Sequence, residues 1–208
     1  MLKLKNISKK FGNHIIFEDV SLEFKKGDLV HFYGVNGSGK STLFKIIGDI
    51  MSPDKGKVEI EEGKRVGAVI ENPGFIENET ILYNLKYLYS LLNKYDEGSE
   101  KHIQELCQKF NLDLYNPDKM KDYSVGMRQK TAIIQAIMEN QDIILLDEPT
   151  RGLDQDGVEE FFKIIQDYSK KKDKIIIIAS HDLMDKLPYN KQLVIEDYKI
   201  YDKKDIKK

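Results

Sequence analysis

Residues 34–41 read Gly34-Val35-Asn36-Gly37-Ser38-Gly39-Lys40-Ser41. The stretch fits the pattern glycine, any four residues, glycine, lysine, serine or threonine. Its physics is that of a polyphosphate cradle. Glycines let backbone N–H groups converge on an anion without Cβ clashes. The lysine reaches the outer phosphates, and the serine hydroxyl can ligate a divalent cation. The flanks agree. Residues 29–33 (Leu-Val-His-Phe-Tyr) read as a short apolar strand, and the periodicity after Lys40 predicts a helix over 40–48 whose positive end faces the loop. Strand, glycine loop and helix in that order predict an α/β fold with a phosphate-loop core.

Further along, Ile143-Ile144-Leu145-Leu146-Asp147-Glu148 supplies the carboxylates that phosphate chemistry needs. Four apolar residues predict a buried strand. The two carboxylates stand at its C-terminal end, where open α/β sheets bind ligands. Asp147 suits a metal ion, held directly or through water. Glu148 suits the polarisation of an attacking water. The unbroken run 175–179 (Ile-Ile-Ile-Ile-Ala) predicts another strand covered on both faces.

The rest of the pattern is consistent with this core. Alternation at Leu2 and Leu4, then at Val20, Leu22 and Phe24, predicts half-buried antiparallel strands near the N-terminus. Strands are expected at 57–60 and 65–70 around a Glu62-Gly63 turn, and a closing hairpin at 192–196 and 198–201. Helices are expected at 80–92, with Thr80 as N-cap, and at 100–110, 124–140 and 155–171. A single domain over 1–208 results. Its core covers about 1–77 and 126–208, an antiparallel β subdomain lies near the N-terminus, and a helical subdomain occupies about 78–125.

Composition excludes several classes. The chain has 208 residues with 33 basic against 35 acidic, so no basic excess points to nucleic acid. No run reaches the roughly 18 apolar residues of a membrane span, and 1–10 carries lysines with no apolar segment behind them, unlike a signal peptide. Cys107, the one cysteine, sits on a stripe with Ile103, Leu106 and Phe110 and reads as a small core residue. His14, His31 and His102 receive no role. The lysine-rich end, 203–208, reads as a solvated tail.

The motifs together resemble the ABC transporter ATP-binding family. Tyr123-Ser124-Val125-Gly126-Met127-Arg128-Gln129 resembles the family's signature, with Tyr, Val and Met where Leu, Gly and Gln are usual. Asp147-Glu148-Pro149-Thr150-Arg151-Gly152-Leu153-Asp154 looks like the Walker B end and D-loop, Ser180-His181 like the switch histidine, and Phe11 like the aromatic that stacks on adenine. Glu71 stands where the family usually has glutamine. With the Ser-x-Gly-Met signature, it resembles ATPases of bacitracin-resistance and lantibiotic self-protection exporters.

The resemblance implies a RecA-like phosphate-loop core that hydrolyses ATP with Mg²⁺ between two cassettes. Catalytic roles fall to Glu148, His181 and Glu71. Nucleotide contacts fall to Phe11, Gly34, Val35, Asn36, Gly37, Ser38, Gly39, Lys40, Ser41 and Thr42, with Ser124, Gly126, Met127 and Asp154 acting across the dimer. Metal contacts fall to Ser41, Glu71 and Asp147. The implied partners are a second ATP-binding cassette, in a homodimer or heterodimer, and a separate transmembrane permease, with the chain peripheral on the cytoplasmic face of the membrane. The short stretch after His181 leaves no room for an importer's regulatory domain, which suits an exporter. The second reading is a soluble single-cassette ATPase without transport, such as one serving iron–sulfur assembly. A nucleotide-binding module without turnover is the weakest reading, given Glu148 and His181.

Overall fold

The computed structural model describes residues 1–71, 74–181 and 186–204. Two sheets form the scaffold. In the first, β1 (Leu2–Phe11) lies between β2 (His14–Phe24) and β4 (Lys55–Ile60), antiparallel to both. The second runs β5 (Val66–Val69), β6 (Ile143–Asp147), β7 (Ile175–Ser180), β3 (Leu29–Tyr33), β8 (Lys191–Glu196), β9 (Lys199–Asp202). All of its neighbours are parallel except the β8–β9 hairpin. The Glu18 N–H to Tyr198 carbonyl bond, 2.9 Å, joins the two sheets. The strands flanking Glu62-Gly63 therefore do not pair with each other. β4 joins the antiparallel sheet through Leu2 and Ile60, and β5 the parallel one through Val66 and Ile143.

Apolar runs without alternation form the strands covered on both faces. Successive side chains point to opposite faces of a strand, and here they sort between two cores. Val30, Phe32, Ile143, Leu145, Ile175 and Ile177 meet α1 (Lys40–Ile47) and the antiparallel sheet. Leu29, Ile144, Leu146, Ile176 and Ile178 face α4 (Val125–Ile137) and α5 (Gln155–Lys171). α2 (Ile81–Ser90) and α3 (Glu97–Lys109) add Ile81, Leu85, Ile103, Leu106 and Cys107 to that second core. Burial pushes the Cys107 thiol up to about 12, as a core residue requires and a nucleophile does not.

Helix boundaries follow capping chemistry. Thr80 caps α2 by accepting the Tyr83 N–H, and Ser124 caps α4 by accepting from Met127. α3 begins earlier than the apolar stripe indicates, because Asp96 and Ser99 form a reciprocal capping box. α4 stops at Ile137, short of the expected 140. The end of the lysine tail, 205–208, lies outside the described residues, as does the Asn72-Pro73 pair after Glu71. Among the described residues no helix is long and apolar enough to cross a membrane.

Candidate nucleotide site

The parallel strands β5, β6, β7 and β3 lie in that order, and the residues after β3, β5 and β6 line one cleft. Its volume is about 520 Å³, within the range of small-molecule sites. The loop after β3 bends at Gly37 and Gly39, with φ of 83° and 104°, angles that exclude other residues without strain. Lys40 opens α1 and turns back into this loop. Its Nζ donates to the Gly34 carbonyl at 2.5 Å and the Val35 carbonyl at 3.2 Å. The lysine is 6% exposed, so its charge stands at the cleft floor in low dielectric.

β6 delivers Asp147, 7% exposed, and Ser41 Oγ donates to its Oδ2. Burial pushes the Asp147 carboxyl above the ordinary range, helped by the charges of Glu148 and Glu71, while Ser41 and Lys40 pull it down. At Glu148 the chain leaves the sheet with φ 46°, a left-handed angle that a glutamate adopts only under constraint. The Glu148 N–H to Ala179 carbonyl bond, 2.8 Å, supplies part of that constraint. The result turns its carboxylate into the cleft. Oε1 accepts from the His181 backbone N–H at 3.0 Å and lies 3.9 Å from Lys40 Nζ, and Oε2 stands 2.9 Å from His181 Nδ1.

Glu71, also left-handed at φ 56°, lines the same cleft from the end of β5, and its Oε1 accepts from Lys45 Nζ at 2.8 Å. Asn36, Gly37, Gly39, Ser41 and Thr42 line it too. Phe11 does not. It stands exposed at the β1–β2 hairpin with Lys9 over its ring, and Ile16 of β2 is the apolar residue in the lining. Ser124, Gly126, Met127 and Asp154 also lie outside the lining. Ser124 Oγ is occupied as the cap of α4, Met127 packs against the core, and Asp154 caps α5.

Sequence reasoning missed three residues. Gln129 and Arg151 line the cleft, and Gln129 Nε2 donates to the Pro149 carbonyl at 3.1 Å. Both lay inside quoted motifs, and their spacing from Ser124 and Asp147 was the available signal. Buried His31 is the third. It is hydrogen-bonded to Ser180 Oγ, beside the switch position, at 2.9 Å and stacks on Tyr189. A lone histidine in an apolar strand gave no signal for that.

The cleft fits a nucleotide polyphosphate. Gly39, the N-cap of α1, supplies no side-chain cap, so the helix end keeps its backbone donors for an anion. Among the described residues Ser38 Oγ, which is buried, has no hydrogen-bond partner. Among the described residues no group of three or more His, Cys, Asp or Glu could cage a metal ion. One carboxylate and one hydroxyl suit Mg²⁺, which takes its remaining ligands from phosphates and water.

The family model for ABC transporters matches residues 17–151. This chain belongs to the ABC transporter family. The cassette is 32% identical to the lantibiotic transport ATP-binding protein SrtF of Streptococcus pyogenes over 88% of its length and 81% of SrtF. It is 28% identical to the bacitracin transport ATP-binding protein BcrA of Bacillus licheniformis over 88% of its length, but spans only 62% of BcrA. The solved structure of MJ0796, described as a dimeric bacterial ABC transporter cassette, superposes with a TM-score of 0.83, 27% identity and 96% coverage of both chains. A second MJ0796 structure is a dimeric post-hydrolysis state bound to ADP and Pi. Phe11, Asp154 and His181 fall outside the span that the family model matches.

Proposed function

We propose that the cassette is a Mg²⁺-dependent ATPase that works in a pair and drives export through a separate membrane subunit. One observation carries the reading: Lys40, Asp147 and Glu148 converge on one cleft, with Glu148 held by His181, while Ser124 and Gly126 lie outside it. The cleft thus gathers the groups that hydrolysis needs but not Ser124 and Gly126 of the signature, which are left for a second cassette. MJ0796 pairs as a dimer, and SrtF and BcrA are named as lantibiotic and bacitracin transport ATP-binding proteins, which supports a paired cassette that drives transport of a related solute here.

Within this reading, Lys40 binds the outer phosphates and the free N–H groups of α1 orient them. Ser41 and Asp147 would hold Mg²⁺, with Glu71 near it. Mg²⁺ held there would supply charge neutralisation for the transferring phosphoryl group. Glu148 orients water and takes its proton at a carboxylate oxygen, and His181 fixes that carboxylate through its backbone N–H and Nδ1. Phe11, exposed at the β1–β2 hairpin and outside the lining, is assigned to the base. Ser124, Gly126, Met127 and Asp154 act on the partner's nucleotide.

Glu148→Gln tests it. The variant keeps ATP binding, loses steady-state turnover and forms an ATP-dependent dimer on size exclusion. Turnover within a few-fold of the parent would overturn the assignment. Affinity purification from native membranes, with mass spectrometry of what co-purifies, identifies the membrane subunit. Recovery of the cassette without an integral membrane protein counts against transport.

A further inference from the structure

The start of α4 and the turn after β6 are joined along one face of the helix. Gly126, Gln129 and Lys130 stand three and four positions apart, so they share that face. Each meets the segment 149–157. A Cβ on Gly126 would stand 2.6 Å from the Gly152 carbonyl oxygen, so only glycine admits this approach. Gln129 bonds the Pro149 carbonyl. The Lys130 ammonium lies 3.0 Å from Asp154 Oδ1. A Cβ on Gly157 would stand 2.8 Å from Lys130 Cε, so glycine also makes room for the lysine stem.

The lysine and the aspartate differ sharply in environment. Lys130 is 7% exposed, while the Asp154 side chain is 65% exposed. A nearly buried ammonium needs an anion, and removing that anion is costly in a way that breaking a surface pair is not. Both contacts to Asp154 fall on one oxygen. Oδ1 takes the Lys130 ammonium and the Gly157 N–H, each at 3.0 Å, and Oδ2 accepts no hydrogen bond among the described residues. The carboxylate is therefore held through one oxygen, while its side chain, like Ser124 and Val125 at the start of α4, is largely exposed.

We propose that Lys130 is a positioning residue: it ties Asp154 to the signature helix, so that Ser124, Gly126 and Asp154 Oδ2 meet a second cassette as one rigid body. The proposal rests on the two-cassette reading. Without Lys130, Asp154 keeps its bond to the Gly157 N–H but loses its link to α4. The signature and the aspartate would then be ordered separately at each closure, at an entropic cost.

The test uses the full chain carrying Glu148→Gln, with dimer formation followed by size exclusion across an ATP titration. Adding Lys130→Met, which keeps the apolar stem, raises the ATP concentration for half-dimerisation about tenfold, an ordinary coupling for neighbouring residues. ATP affinity of the monomer, measured by calorimetry, stays within about twofold, because Lys130 does not line the cleft. Lys130→Arg restores dimerisation, and Lys130→Met with Asp154→Asn is no worse than the poorer single change. Should Lys130→Met not fold, Lys130→Gln is read in its place. Unshifted dimerisation, or additive effects of the two changes, overturns the proposal alone. Failure of Glu148→Gln itself to dimerise with ATP overturns the two-cassette reading, and this proposal with it.

Discussion

Lys40 and Glu71 face the same cleft from opposite circumstances. Lys40 is buried, hydrogen-bonded to carbonyls of its own loop and 3.9 Å from Glu148 Oε1, so its charge stands at the cleft floor facing any anion that enters. Lys40→Ala should lower ATP affinity by about 10- to 100-fold, the worth of a charge-assisted contact, and calorimetry reads it. Unchanged binding would contradict the site. Glu71 is exposed and paired with Lys45, a pair that adds little stability. Glu71→Gln should therefore leave the melting midpoint unchanged while the Mg²⁺ needed for half-maximal ATPase rate rises, because one negative charge beside the dication is gone. An unmoved Mg²⁺ titration makes Glu71 an ordinary loop carboxylate. The charged ends of the strands were legible because a carboxylate after four apolar residues breaks a pattern. Gln129, Arg151 and His31 were not, because their roles depend on which element packs against which, and periodicity sorts faces without naming neighbours.

At the scale of elements, the same asymmetry recurs. The unbroken isoleucine runs announced β6 and β7 with their buried faces, and Thr80 and Ser124 marked the starts of α2 and α4. The start of α3 was hidden because its first turn, Glu97-Gly98-Ser99, carries no apolar residue, and the stripe begins only at Ile103. Capping, not burial, sets that boundary. Asp96→Ala should therefore cost about 1 kcal/mol, seen as a lower midpoint in thermal or urea melts, with turnover unchanged. A midpoint equal to the parent's would mean that packing alone defines the helix. The pairing of β4 and β5 with different sheets was also hidden, since a turn between two short strands reads alike whether they pair or part.

At the scale of the molecule, the central strand β3 takes its neighbours from the far end of the chain: Leu29 pairs with Ile176, and Val30 with Lys191. Both cores and the phosphate loop depend on those pairings. A fragment of residues 1–150 should accordingly show no cooperative melting transition and no measurable ATP binding, and a cooperative melt of that fragment would contradict this dependence. The order of strands also has a consequence on the ribosome. While the chain is made from its N-terminus, β3 emerges early and waits, its two edges open, until β7 and β8 follow. For that interval β3, Leu-Val-His-Phe-Tyr, is an apolar strand with unpaired edges of the kind that stick to other strands, so the nascent cassette gains from rapid elongation to β7 and β8.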